Sequence, residues 1–310
     1  MKTVILLIAL SILSCGSVET TTDYTIKGTS KEFIGDTVYV HKYDHFDYLN
    51  QDHILDSAVV DSEGNFELLF SYEPDKLVYV SRYKVPPPSY RVFRQTPEHY
   101  YYSMCANFFG MSPTIYLGNQ ENYRISHWDK DNNDSSIKYE DRNQGLLREY
   151  YRSVDFRGEL ADENRTPLQL EPHLAWQIIE KKRDQILKDF KLLNEDIPAN
   201  SFEGYLKTEI SLGAINDYLV WYGLQEESAD TPELINQIVE QYNSNEWNAN
   251  SLEFFKLNER YITHQMNLQK RQEAKYYPSD KDKLSYAKQY SRPDVRDQYV
   301  ENLSSLIQEN

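Results

Sequence analysis

The sequence is poor in cysteine, in basic residues and in long apolar runs, and each shortage excludes a class of protein. Its two cysteines, Cys15 and Cys105, are far apart, so no Cys-x-x-Cys pair is available for dithiol chemistry. Its 33 lysines and arginines are outnumbered by 49 aspartates and glutamates, which gives a net charge of −16. Because such a chain is repelled by phosphate backbones, we expect no nucleic-acid partner. After residue 14, no apolar run approaches the ~20 residues of a membrane-spanning helix.

Familiar catalytic motifs are missing as well. The sequence contains no Gly-x-Ser-x-Gly elbow, no phosphate-binding loop and no His-Glu-x-x-His zinc motif. Carboxylate pairs are so numerous that composition alone leaves glycosidase chemistry open. The absence of the three motifs named above favours a protein that is not an enzyme.

The first fifteen residues carry the most informative pattern. Lys2 precedes an apolar run that is too short to span a bilayer, and the run ends at Ser14 and Cys15. A basic residue, a short apolar segment and a small residue at the boundary are typical of an export signal. With Ile12 at position −3 and Ser14 at −1, the run resembles a bacterial lipobox, whose cysteine receives diacylglycerol before the leader is cut.

Lipidation of Cys15 would decide both the location and the thiol chemistry. Residues 1–14 are then a signal peptide and 15–23 a flexible tether, and fatty chains contribute roughly 0.8 kcal/mol of membrane affinity per buried methylene. We expect a cell-envelope protein held by its N-terminal lipid, at the outer membrane facing the periplasm or the surface. Cys105 is then a free thiol. Its aromatic and apolar neighbours favour a buried core cysteine, and an exposed redox thiol is the alternative.

Residues 24–128 have the composition of a β-rich domain. Short runs of β-branched and aromatic residues alternate with turn residues such as Gly64. This spacing favours an antiparallel β-sandwich or a barrel-like domain over alternating strand and helix units. The expected strands are 24–28, 37–43, 54–60, 66–70, 76–81, 114–118 and 123–126.

Beyond an acidic linker at 129–145, the hydrophobic period becomes helical. Residues 146–310 are therefore predicted to form an α-helical bundle domain, which makes the fold class α+β. An amphipathic helix is expected over 170–195, ending before Pro198. Further helices are expected to begin near four positions with start signals: Ser201, Thr231 with Pro232, Ser251 and Asp294.

The segment from Ile54 to Phe66 resembles the LDSA-x-V-x-x-dG-x-F signature of a β-rich domain of unknown function. That domain stands N-terminal to the thioredoxin domain in TlpA-like thiol–disulfide lipoproteins of Gram-negative bacteria. Ile26-Lys27-Gly28 and Val38-Tyr39-Val40 are similar to its first two strands, and the helical half is similar to the linker domain of those proteins. Because no thioredoxin domain with Cys-x-x-Cys is present in these 310 residues, the family's redox activity is not carried over.

One loop has the ligand spacing of a calcium site. Five oxygen-bearing side chains occupy positions 1, 3, 5, 7 and 12 of a calcium loop, and they are Asp129, Asp131, Asn133, Ser135 and Glu140. Asp134 occupies position 6, where glycine normally makes the turn. A solvated acidic linker is the alternative interpretation, and Ca²⁺ is the cofactor to test.

Histidines and aspartates also cluster after the second expected strand. They could bind zinc or another divalent ion, with a hydrated loop as the alternative. The members are His41, Asp44, His45, Asp47, Asp52 and His53.

Aromatic and arginine residues concentrate between Pro88 and Cys105. Such residues are favoured where partners bury surface, and also on ordinary sheet faces. The candidate interface residues are Tyr90, Arg91, Phe93, Arg94 and Tyr101.

The sequence therefore predicts a lipid-anchored envelope protein that acts as a non-catalytic binding or accessory module, with an envelope protein or a glycan as its partner. The alternative is an accessory or truncated member of a TlpA-like thiol–disulfide redox system.

Overall fold

The computed structural model describes residues 21–43, 54–84, 113–128, 137–163, 166–194, 196–223, 232–270 and 280–293, with a few more between 296 and 304. Over these ranges the chain is an α+β protein, with two four-stranded sheets followed by a helical region. The predicted fold class is confirmed at this level.

The strands are β1 (Thr22–Thr29), β2 (Thr37–Lys42), β3 (Ile54–Val59), β4 (Asn65–Tyr72), β5 (Leu77–Ser81), β6 (Thr114–Tyr116), β7 (Asn122–Trp128) and β8 (Ile137–Tyr139). The α-helices are α1 (Arg142–Ser153), α2 (Pro172–Asp189), α3 (Phe202–Gly223), α4 (Pro232–Ser244), α5 (Leu252–Lys270) and α6 (Asp280–Tyr290). Short 3₁₀ turns lie at Lys31–Phe33 and Arg157–Leu160.

The strand order corrects the expectation of a wholly antiparallel domain. The first sheet has the order β4-β1-β7-β8 and the second the order β3-β2-β5-β6, and neither closes into a barrel. β1 and β7 are parallel, with Thr25 opposite Asn122 and Gly28 opposite Ile125. β7 joins β1 only after the chain has passed through the second sheet, so no tight hairpin constrains its direction. The other strand pairs are antiparallel.

The two sheets share one apolar core. Ile26 and Leu68 of the first sheet and Val40 and Val80 of the second are fully buried members of a single cluster. β4 shows the alternation of a strand with one buried face, since Phe66, Leu68 and Phe70 are buried and their neighbours are mostly exposed. Gly64, with φ of 89°, makes the predicted turn before β4.

The second sheet is also covered on its outer face. All five residues of β5 are buried, and Leu77 and Tyr116 belong to the core of the helical region. The Tyr116 ring lies 4.9 Å from that of Tyr205. On α1, the Gln144 side chain accepts a hydrogen bond from the Tyr116 amide and donates one to its carbonyl, both at 2.9 Å. Gln144 thereby occupies the hydrogen-bonding edge of β6.

Most of the predicted helix starts are confirmed. The helix expected over 170–195 is α2, and α4 begins at Pro232. The Ser201 and Ser251 hydroxyls accept hydrogen bonds from the amides of Gly204 (3.0 Å) and Phe254 (3.2 Å), so both serines cap helices. The segment predicted as an acidic linker contains β8 and the start of α1.

None of the described helices is long and apolar enough to cross a membrane.

Candidate functional site

Most residues singled out from the sequence lie outside the described part of the chain. These are the lipidation site Cys15, the thiol Cys105, the interface residues Tyr90, Arg91, Phe93, Arg94 and Tyr101, and the calcium candidates Asp129, Asp131, Asn133 and Ser135. The lipid, thiol, interface and calcium assignments therefore stay predictions.

Glu140 is the one calcium candidate that is described. It follows β8, and its carboxylate lies 3.3 Å from the Arg124 guanidinium, with about half of each side chain exposed to solvent. Exposed ion pairs of this kind contribute little stability. Its present partner is therefore a cation on the neighbouring strand.

His41 is the one described member of the histidine and aspartate cluster. It is buried on the outer face of the second sheet, where its ring stacks on Tyr79 with centroids 4.7 Å apart. Its Nε2 lies 3.1 Å from the carbonyl oxygen of Tyr83. Within the described ranges, no group of three or more His, Cys, Asp or Glu side chains is placed to hold a metal ion.

The most concentrated titratable chemistry in the described chain lies inside the helical region, around Glu209. α3, which carries Glu209, is buried on nearly all sides, and Glu209 itself is fully buried. A carboxyl group in such a place is costly unless its oxygens are hydrogen-bonded. The surrounding helices supply those donors.

Three donors bind the Glu209 carboxyl group. The Tyr151 hydroxyl on α1 donates to Oε2 at 2.7 Å. The Ser251 hydroxyl donates to Oε1 at 2.5 Å, and the backbone amide of Glu253 donates to the same oxygen at 3.1 Å. The carboxyl group of α3 is therefore tied to α1 and to the first turn of α5, where unpaired amides favour an acidic partner.

Two tyrosines extend the network. The Tyr205 hydroxyl lies 2.9 Å from that of Tyr151, and the Tyr150 hydroxyl donates to the Glu209 backbone carbonyl at 2.8 Å. Burial raises the pKa of all three tyrosines well above its ordinary value. They are therefore neutral hydroxyls at physiological pH.

Glu209 and Glu253 have pKa values shifted in opposite directions. Burial, and then the nearby charge of Glu253, raises the pKa of Glu209 to about 7. Burial also acts to raise the pKa of Glu253, but Lys256, Arg260 and Asn216 outweigh it and hold that pKa below its ordinary value. The Lys256 ammonium lies 2.6 Å from the Glu253 carboxylate. One carboxyl group can thus hold a proton near neutral pH while its neighbour stays ionised.

The network reaches partly exposed residues beyond Glu253. Asn216 donates to the carbonyl and the carboxylate of Glu253, both at 2.8 Å. The next residue on α3, Asp217, pairs with Arg157 at 2.7 Å, and about a fifth of each side chain is exposed. The cations therefore lie on the solvent side of the network and the Glu209 carboxyl group on its inner side.

Carboxyl pairs with separated pKa values are common in acid–base active sites, but this pair has a different geometry. Both oxygens of Glu209 are bound by protein donors, and the side chain has no exposed surface. A general acid must come within hydrogen-bonding reach of a substrate, which this arrangement does not allow. In the described conformation, the network links α1, α3 and the start of α5.

The sequence carries one signal for this site, and that signal is not a motif. Glu209 lies between buried residues on a helix that is apolar on nearly every side, and a charged residue there requires partners. The partners lie 42 and 58 positions away, at Ser251 and Tyr151, so no local spacing reveals them.

Comparisons of the chain with protein-family models, with curated proteins and with solved structures found no match.

Proposed function

We propose that this protein is a lipid-anchored protein of the cell envelope, whose folded body serves as a non-catalytic binding or accessory module. The observation that carries the proposal is the lipobox-like run that ends at Cys15. In this proposal the anchor holds the protein at the outer membrane, facing the periplasm or the surface, and the partner is an envelope protein or a glycan.

The contact between the second sheet and the helices supports a folded body in which both parts act together. We propose that the two sheets form a sandwich and the helices a bundle, and that the two parts work as one body. Leu77 and Tyr116 pack into the helical core, and Gln144 pairs with the backbone of Tyr116. A partner that binds the sheets would therefore bind a surface that is rigidly connected to the helices.

One end of the sheets is the proposed binding end. Arg82 lies over the rings of Phe33 (5.5 Å) and Tyr83 (5.0 Å), and the Trp128 ring packs edge-on against Phe33 at 4.8 Å. Arg82 and Tyr83 precede the predicted interface segment in the chain, and Trp128 precedes the predicted calcium segment. Arg82 and Trp128 thus both pack against the buried Phe33, and the exposed Arg82 and Tyr83 are of the residue types favoured in interfaces.

Fatty-acid labelling tests the anchor. Cells grown with an alkyne-tagged fatty acid should label the wild-type protein and the Cys105→Ala variant, whereas Cys15→Ala should abolish the label. Inhibition of lipoprotein signal peptidase should leave a heavier, uncleaved form. Label that persists in Cys15→Ala would refute lipidation at this residue.

Crosslinking in cells tests the binding end. A photo-crosslinking residue at Tyr83 should capture a partner, whereas the same residue at Lys138 on the outer face of the first sheet should not. Recovery of a polypeptide or an oligosaccharide identifies the partner class. Equal capture at both positions would contradict the proposed end.

The alternative role, as an accessory or truncated member of a TlpA-like redox system, rests on the sequence resemblance of Ile54–Phe66 and of the first two strands to that family's β-rich domain. This role predicts capture of a thioredoxin-like enzyme and rapid alkylation of Cys105 in the native protein. Negligible alkylation would count against thiol chemistry at Cys105.

A further inference from the structure

The Glu209 carboxyl group meets a short chain of hydroxyl groups where three helices join. Its Oε2 lies 2.7 Å from the Tyr151 hydroxyl, which lies 2.9 Å from the Tyr205 hydroxyl. These atoms belong to α1 and α3, while Oε1 binds the first turn of α5. We propose that the Glu209–Tyr151–Tyr205 chain takes up one proton in the folded protein by reversing its hydrogen bonds, and that this makes the junction of α1, α3 and α5 sensitive to pH.

The geometry allows both directions of the chain. When Glu209 is ionised, Tyr205 donates to Tyr151 and Tyr151 donates to Oε2. When a proton from solvent binds Oε2, the new O–H donates to Tyr151, and Tyr151 turns its own proton toward Tyr205. A hydroxyl can donate and accept, so each rotation keeps the Glu209–Tyr151 and Tyr151–Tyr205 hydrogen bonds. Oε1 accepts from Ser251 and from the Glu253 amide in both states.

The charges around Glu209 favour the protonated state. The carboxylate of Glu253 on α5 faces it, and α1 presents the neutral hydroxyls of Tyr150 and Tyr151. The two cations that lower the pKa of Glu253 have partners other than Glu209: Lys256 binds the Glu253 side chain, and Arg260 donates to the Asn216 carbonyl.

The raised pKa of Glu209 decides whether folding stability increases or decreases with pH. The pKa of Glu209 rises from its ordinary value of 4.5 to about 7 in the folded protein. Between these two values the folded state holds a proton that the unfolded state has released. This contribution to stability is fully present below pH 4.5, decreases as the pH rises, and is lost above about pH 7. One such proton changes the unfolding equilibrium constant by up to about tenfold per pH unit.

Replacing Glu209 by glutamine tests the proposal. Glutamine matches the protonated state, because its oxygen can accept from Ser251 and Glu253 while its amide donates to Tyr151. The full-length Glu209→Gln variant should fold. Between pH 4.5 and about 7, the unfolding equilibrium constant of the wild type should rise with pH more steeply than that of the variant, and the difference should be up to about tenfold per pH unit. Glu203→Gln, which changes an exposed carboxyl group on the same helix, should keep the wild-type slope. An unchanged slope in Glu209→Gln would overturn the proposal.

Infrared spectroscopy of the wild type gives a readout that does not depend on a variant folding. A carboxylic-acid carbonyl band should persist to near neutral pH and titrate close to pH 7. In Tyr151→Phe, which removes a donor to the ionised form, the midpoint should move upward. A wild-type band that disappears entirely near the ordinary carboxyl pKa of 4.5, or a midpoint unchanged in Tyr151→Phe, would refute the proton-accepting chain.

Discussion

The two main cores of this molecule are stabilised by different interactions. The core shared by the sheets is mainly apolar, with fully buried Ile26, Val40, Leu68 and Val80 among its members, so its stability depends chiefly on shape and volume. The core of the helical region encloses the Glu209 carboxyl group and several tyrosine hydroxyls, so its stability also depends on hydrogen bonds and on pH. A buried polar group destabilises a fold unless neighbouring helices or strands supply its hydrogen-bond partners.

The two sheets differ in a related way. The outer face of the first sheet is solvated and carries ion pairs such as Lys27–Glu67, whereas the outer face of the second sheet packs against the helices through Leu77 and Tyr116. A strand that is buried on both faces, such as β5, has a nearly continuous apolar sequence. A strand with one solvated face, such as β4, alternates buried and exposed residues.

The largest effect is expected from Glu209→Ala in the helical core. The change leaves the Ser251 hydroxyl and the Glu253 amide without their acceptor and removes the hydrogen bond between Glu209 and Tyr151, and each buried unpaired group costs about 1–3 kcal/mol. The free energy of unfolding, measured by urea denaturation, should fall by about 3–5 kcal/mol at pH 5, and by less above pH 7, where the wild type loses its own protonated form. Glu203→Ala, exposed on the same helix, serves as the control. A loss below about 1 kcal/mol would show that the network is dispensable.

In the sheet core, Leu68→Ala should cost about 2–5 kcal/mol, because it removes a fully buried side chain and leaves a cavity. Leu69→Ala, at the next position and mostly exposed, should cost less than about 0.5 kcal/mol. The loss in Leu68→Ala should be the same at pH 5 and pH 8, since Leu68 does not titrate. A strong pH dependence would mean that the two cores are energetically coupled.

Much of the fold was readable from the sequence because its signals are local. Strand runs, the Gly64 turn and the serine caps at Ser201 and Ser251 depend on residues a few positions apart, and the structure confirms them. β8 was missed because three residues in a hydrophilic stretch carry almost no pattern, and its pairing with β7 defines it. The parallel alignment of β1 with β7 joins residues nearly 100 positions apart, which no periodicity encodes.

The Glu209 network was missed for the same physical reason. The sequence predicts a helix start at Ser251, but the role of this serine as a donor to Glu209 exists only once α3 and α5 pack together. The position of the Glu209 carboxyl group between apolar residues of α3 indicates a network without naming its members. Local chemistry predicted the elements, and tertiary packing decided which polar groups meet.

A smaller effect is expected from Gly28→Ala in β1. A methyl group at this position would overlap the Phe66 ring, and overpacking of this kind typically costs about 1–3 kcal/mol. Thermal unfolding of Gly28→Ala, Phe66→Leu and the double variant forms a cycle that isolates the contact. The double variant should be more stable than the sum of the single losses predicts, and strict additivity would refute direct contact between these residues.

The smallest effect is expected on the solvated face of the first sheet, and it sharpens the contrast between the sheets. Lys27→Gln breaks the 3.1 Å ion pair with Glu67, but both side chains are at least half exposed, so the unfolding free energy should change by less than about 0.5 kcal/mol. Leu77→Ala, on the outer face of the second sheet, should cost about 2–5 kcal/mol because that face is buried against the helices. Urea denaturation of both variants at one salt concentration measures the difference. Equal and small losses of unfolding free energy in the two variants would mean that the helices do not stabilise the second sheet. The contrast between the two outer faces therefore requires Leu77→Ala to be the costlier change.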